Sequence, residues 1–136
     1  MKPLRILWID DDEYLVDFCS RALRNYGAVV FVASTGTEGL AVLQDTEIDI
    51  IVSDLEMGEM DGLEVARRVE EMFTNTHRPK PKFVILTAWV KEMSPEEAYS
   101  EYKVNAILEK PIEIKTLFQT LNKMVNSDAG LNMALR

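Results

Sequence analysis

Residues 6–13 read ILWIDDDE, four apolar side chains running directly into four consecutive acids. Two unit charges about 4 Å apart repel by roughly 4 kcal/mol at an effective dielectric near 20, so crowded carboxylates need a cation, water or a helix start to relieve them. The apolar half reads as a buried strand that fixes where Asp10, Asp11 and Asp12 emerge.

Working outward, the run LRILWI (4–9) is the first of five short apolar segments. The others are AVVFVA (28–33), IDIIVS (48–53), KFVILTA (82–88) and VNAIL (104–108). Several show no alternation of apolar and polar residues, as expected of strands covered on both faces of a parallel sheet. Helical periodicity fills the gaps. Leu15, Phe18, Cys19, Ala22 and Tyr26 form one stripe that stops at Gly27, and Ile114, Leu117, Phe118, Leu121, Met124 and Val125 form another. Helix starts are written as capping residues three before a glutamate: Thr35 with Glu38, Asp61 with Glu64, and Ser94 with Glu97, the last followed by Pro95 at the first helical position. Asp12 and Glu13 read as the start of the first helix. Strand and helix alternate throughout, which predicts an α/β fold: a doubly wound, five-stranded parallel sheet of flavodoxin-like (βα)5 type.

The 136 residues fit one domain, expected to span 1–126, with 127–136 a C-terminal tail or the start of a linker. A net charge of −8 argues against direct binding of nucleic acid or an anionic membrane, since both need a basic surface. The single cysteine, Cys19, forms no internal disulfide, and nothing approaches the ~18 consecutive apolar residues of a membrane span. The expectation is a soluble, cytoplasmic protein. The stretch TNTHRPKPK (74–82) reads as a polar loop, with its lone His77 exposed rather than catalytic.

In an open parallel sheet, ligands bind beyond the C-terminal ends of the strands, where the strand order reverses. The residues at those ends are Asp10 to Asp12 after the first strand, Asp54 after the third, Thr87 at the end of the fourth and Lys110 just after the fifth. With strand order 2-1-3-4-5, the acid run and Asp54 converge. Carboxylates so placed make a hard oxygen site suited to Mg²⁺, and a hydroxyl and an ammonium beside them suit phosphoryl transfer to a carboxylate. Asp54 has the strand-end position for that nucleophile.

The residues that carry this reading are DD after the first strand, DLEMGEMDG (54–62) after the third, LTA (86–88) after the fourth and KP (110–111) after the fifth. In this order and at these strand ends, the chain resembles the receiver domain of two-component response regulators over nearly its whole length. The resemblance implies that Asp54 is the phosphoacceptor. It also implies that Asp10 and Asp11 bind Mg²⁺ with Asp54, and that the backbone carbonyl of Glu56 is a further ligand. Thr87 would follow the phosphoryl group after transfer and Lys110 would pair with it. The phosphodonor would be a sensor histidine kinase or a histidine phosphotransfer protein. The face formed by the fourth helix, fifth strand and fifth helix would then change and act on a partner, a missing output domain or a second copy in a homodimer. Such a protein assists its own phosphorylation and dephosphorylation but is not an enzyme acting on a separate metabolite.

Three positions depart from the family pattern. Gly58 stands where proline is usual, which predicts a less rigid loop. Ile107 replaces the aromatic residue three before the lysine, which predicts no aromatic toggle. Lys103 and Val104 replace a Gly-Ala pair, which predicts a different turn. Glu56 and Trp89, two residues beyond Asp54 and Thr87, occupy positions that in the family influence phosphoryl lifetime. Two other classes compete with the switch. A Mg²⁺-dependent phosphohydrolase would use Asp54 as nucleophile, but Glu56 replaces its usual second aspartate. A phosphorylation-independent interaction domain would have no need of the acids, Thr87 and Lys110 together.

Overall fold

The computed structural model describes residues 2–127. The chain alternates strand and helix: β1 (Arg5–Ile9), α1 (Glu13–Asn25), β2 (Val29–Ala33), α2 (Gly36–Asp45), β3 (Ile50–Ser53), α3 (Gly62–Phe73), β4 (Lys82–Thr87), α4 (Pro95–Ser100), β5 (Ala106–Glu109) and α5 (Ile114–Asn126). A single 3-10 turn, Val90–Glu92, precedes α4. The expected tail lies, from residue 128 onward, outside the described residues.

The strands form one parallel sheet in the order β2-β1-β3-β4-β5, as the apolar runs predict. Both faces are covered, which explains the missing alternation. One core joins Ile6, Trp8, Val52, Val84 and Leu86 to α1 and α5 through Val16, Leu23, Leu117 and Leu121. The other joins Leu7, Ile9, Ile51, Phe83 and Ile85 to α2 and α3 through Leu43, Val65 and Val69. No helix among the described residues is long and apolar enough to cross a membrane.

Register positions the site. Ile9 pairs with Ser53 across β1 and β3, so Asp10 and Asp54, each one residue further on, leave the sheet side by side. The Asp54 N–H continues the ladder by donating to the Ile9 carbonyl at 3.0 Å.

The caps fall where the sequence places them. Asp12, Thr35, Asp61 and Ser94 each accept a hydrogen bond from the backbone N–H three residues on. At the end of α1, the N–H of Gly27 bonds to the Arg24 carbonyl and that of Ala28 to Leu23, closing the helix. The face that α1 buries differs from the expected stripe. Val16, Cys19, Ser20 and Leu23 point inward, while Phe18 is 66 % and Tyr26 46 % exposed. Two apolar frames one residue apart both satisfy the helical period here, and packing against β1 selects the one with Val16 and Leu23. Tyr26 instead stacks on Phe118, with ring centroids 5.3 Å apart. At the turn into β5, Lys103 takes φ +60°, a left-handed conformation that a side chain adopts only at some cost.

Candidate functional site

Asp10 is the most enclosed acid at the strand ends, 2 % exposed. Its Oδ1 accepts the Asp12 N–H at 3.0 Å and its Oδ2 accepts from Lys110 Nζ at 3.3 Å. Asp12 therefore has two jobs: its side chain caps α1 and its amide holds Asp10. Burial pushes the Asp10 carboxyl above the ordinary aspartate value, and the charge of Asp54 adds to the rise. The Asp12 amide and the Lys110 ammonium oppose it.

Asp54 is half-buried at the end of β3. Its Oδ1 accepts the Leu55 N–H at 2.9 Å and lies 3.4 Å from Lys110 Nζ. Among the described residues the Leu55 amide and Lys110 both approach Oδ1, and no hydrogen-bond donor serves Oδ2. One ammonium thus bridges Asp10 and Asp54, two carboxylates brought from strands far apart in sequence.

Asp11 completes the group. One oxygen each from Asp10, Asp11 and Asp54 lies within 4.8 Å of the others. Three carboxylates around one small volume, with a single lysine to offset them, fit a hard divalent cation that keeps part of its water shell, as Mg²⁺ does. Glu56, whose backbone carbonyl is the further expected ligand, is exposed in the loop two residues past Asp54.

Thr87 is fully buried at the end of β4, and its Oγ1 accepts the Trp89 N–H at 3.1 Å. Trp89 itself is 55 % exposed beside the site. The Lys110 N–H donates to the Thr87 carbonyl at 2.9 Å, tying the end of β5 to the end of β4. Asp10, Asp11, Asp54 and Lys110 are thus in direct proximity, and Thr87 stands at the neighbouring strand end with its hydroxyl engaged by Trp89. Ile107 is buried and has no polar tip to turn outward. His77 is exposed in the loop after α3.

Two residues to which the sequence reading gives no role at the site contact the Asp54 backbone. Ser53, fully buried, donates from Oγ to the Asp54 carbonyl at 2.8 Å and packs 3.9 Å from the Met57 sulfur. Gly62 begins α3 so close to Asp54 that a Cβ there would press into the Asp54 carbonyl oxygen, and its N–H donates to the Leu55 carbonyl at 2.7 Å. A serine ending an otherwise apolar strand was the available signal for Ser53. In the loop between them, Gly58 has φ +79°, which proline cannot adopt. Glycine at this position therefore lets the loop follow a path that is closed to proline.

Comparison with known proteins agrees with this geometry. Residues 6–122 match the profile of the response regulator receiver domain. The chain is 30 % identical over 128 residues to the transcriptional regulatory protein GlrR of Escherichia coli (strain K12), a match covering 94 % of this chain and 28 % of that protein. It is also 30 % identical over 122 residues to the sensor kinase CckA of Brucella abortus (strain 2308), covering 88 % of this chain and 12 % of the kinase. The chain spans less than a third of either relative. Among solved structures, a receiver domain protein from Clostridium thermocellum superposes with a TM-score of 0.78 at 26 % identity, covering 90 % of this chain and 94 % of that one. Chemotaxis protein CheY4 of Vibrio cholerae superposes with a TM-score of 0.76 at 29 % identity, covering 90 % and 98 %. With residues 6–122 of its 136 matched by that profile, the chain belongs to the response regulator receiver domain family.

Proposed function

We propose that this domain is a phosphorylation-controlled switch in a two-component phosphorelay, accepting a phosphoryl group on Asp54. The donor is the phosphohistidine of a sensor histidine kinase or a histidine phosphotransfer protein. The observation that carries this reading is the bridge from Lys110 Nζ to Asp10 and Asp54, at 3.3 and 3.4 Å, inside a group of three carboxylates.

Each residue has a task that follows from its surroundings. Asp54 Oδ2 attacks phosphorus as a carboxylate; an O–P bond forms, the P–N bond to imidazole breaks, and the imidazole, whose other ring nitrogen already carries a proton, leaves neutral with the P–N electron pair. Asp10, Asp11, Asp54 and the Glu56 carbonyl would hold Mg²⁺, which when bound neutralises charge on the phosphoryl oxygens. Lys110 exchanges its contact with the Asp54 carboxylate for one with a phosphoryl oxygen. The Thr87 hydroxyl donates to another, giving up its bond from the Trp89 amide. That movement alters the segment between β4 and α4 and is read on the α4-β5-α5 face by a partner, an output domain or a second copy.

The test is intact-mass measurement after incubation with Mg²⁺ and acetyl phosphate. The expected result is a gain of one phosphoryl group that is absent in Asp54→Ala. Labelling of that variant at an unchanged level refutes the assignment.

A further inference from the structure

β2 ends the sheet, so one of its sides has no strand beside it. The Val29 N–H donates to the Leu4 carbonyl at 2.8 Å, and the Ala33 carbonyl accepts the Asp10 N–H at 3.1 Å, so residues 29, 31 and 33 face β1. By the alternation of a parallel ladder, Val30 and Val32 turn their N–H and C=O groups to the open side. Val32 is 46 % exposed, and among the described residues its backbone has no hydrogen-bond partner. Such an open row is a template on which another chain can pair.

Two charged side chains reach this edge from the helices before and after β2. Arg24, in the last turn of α1, donates from Nη2 to the Val30 carbonyl at 2.7 Å. Glu38, in the first turn of α2, accepts the N–H of Ser34, the next residue in the outward alternation, at 2.9 Å. Laid antiparallel about Phe31, two copies of β2 would bond each Val30 to the Val32 of the other copy in both directions. Arg24 removes half of those bonds by filling the Val30 carbonyl. A pairing centred on Val32 would join the Val30 carbonyl to the Ser34 N–H, and both groups are taken. A two-fold arrangement draws on the same groups in each copy, so every blocked group interrupts the ladder twice.

We infer that Arg24 and Glu38 are gatekeepers of β2, denying its open edge to the β2 of a second copy of this chain. An arginine in the last turn of a helix ordinarily serves the carbonyls of its own helix end. Arg24 instead reaches out to the strand, where its charge and bulk stand in the path of an incoming backbone.

The experiment uses the whole chain, nitrogen-15 labelled and free of Mg²⁺ and phosphodonor, so its outcome is independent of the phosphoryl-transfer reading. Amide hydrogen exchange at Val30, Val32 and Ser34 is followed at micromolar and millimolar concentration, with sedimentation velocity on the same samples. In the parent these rates should not depend on concentration. Arg24→Met keeps the aliphatic stem and loses the donor. At millimolar concentration it is expected to sediment in part as a dimer and to slow the Val30 and Val32 amides about tenfold, as a mostly paired edge would. Arg21→Met loses the same charge from an exposed position on α1, where the arginine pairs with Asp17, and should match the parent. Arg24→Lys retains a donor for the Val30 carbonyl and should match it too. Adding Glu38→Ala to Arg24→Met should extend the slowing to Ser34. Should Arg24→Met fail to fold, Arg24→Leu takes its place. The inference is overturned if the Val30 and Val32 amides of the variant exchange as fast at millimolar as at micromolar concentration, whether or not a dimer sediments. Equal slowing in Arg21→Met or Arg24→Lys, or no extension to Ser34 in the double variant, overturns it as well.

Discussion

Replacing Asp10 with asparagine separates the cost of the site from its use. At an effective dielectric of about 20, Lys110 Nζ at 3.3 Å attracts the Asp10 carboxylate by about 5 kcal/mol, and Asp54, within 4.8 Å, repels it by about 3.5 kcal/mol. Asp11 is exposed, and solvent screening reduces its repulsion to about 1 kcal/mol. Attraction and repulsion nearly cancel, so burial decides: an almost fully enclosed carboxylate costs on the order of several kcal/mol, only part of which the Asp12 amide returns. Asparagine keeps an oxygen for that amide, and Lys110 keeps Asp54. Asp10→Asn is therefore expected to be more stable than the parent by about 1–2 kcal/mol in the absence of divalent ions, a rise in Tm of about 3–8 °C.

The pH dependence follows from the direction of the Asp10 shift. Its carboxyl takes up a proton more readily in the folded chain than in the unfolded one. The parent's handicap is therefore absent below the ordinary aspartate range, opens as pH rises through the raised native value, and is constant above it. The advantage of Asp10→Asn should close on acidification. Addition of Mg²⁺ should raise the parent's Tm and leave the variant's nearly unchanged. Urea unfolding and scanning calorimetry at several pH values read all of this. A variant less stable than the parent at neutral pH without divalent ions refutes the reasoning.

Three further outcomes are expected. Gly62→Ala should lose about 1–3 kcal/mol in urea unfolding, because the new methyl group displaces the Asp54 carbonyl, and its phosphoryl uptake by intact mass should slow as well. Gly58→Pro should destabilise the chain by about 1–3 kcal/mol, since φ +79° is closed to proline; a more stable protein would show that the loop takes another path. Lys110→Met should leave Asp10 and Asp54 facing each other without their cation, lowering Tm in the absence of Mg²⁺ while tightening Mg²⁺ binding several-fold by calorimetric titration.

The sheet was legible because uninterrupted apolar runs have few uses in a chain of this length, and because capping residues mark the helix starts chemically. Asp10, Asp11, Asp54 and Lys110 were legible as strand-end residues once the strand order was in hand. The buried face of α1 was not, because Leu15 and Val16 begin equally good apolar frames and only contact with β1 chooses between them. Ser53 and Gly62 act through backbone contacts with Asp54, and the dihedral of Gly58 is a property of the loop as a whole. None of these leaves a trace in residue type alone beyond a serine or glycine in an unsurprising place.

On the proposed function, the bond from the Trp89 amide to the Thr87 hydroxyl bears on how quiet the switch is when unstimulated. A neutral hydrogen bond contributes a net of about 0.5–1.5 kcal/mol, so this one alone lowers the spontaneous population of the displaced hydroxyl by roughly two- to tenfold. Because Trp89 donates through its backbone, substitution of its side chain leaves the restraint in place. The leakage of the resting state and the identity of the side chain shown to a partner can therefore vary independently at the same residue.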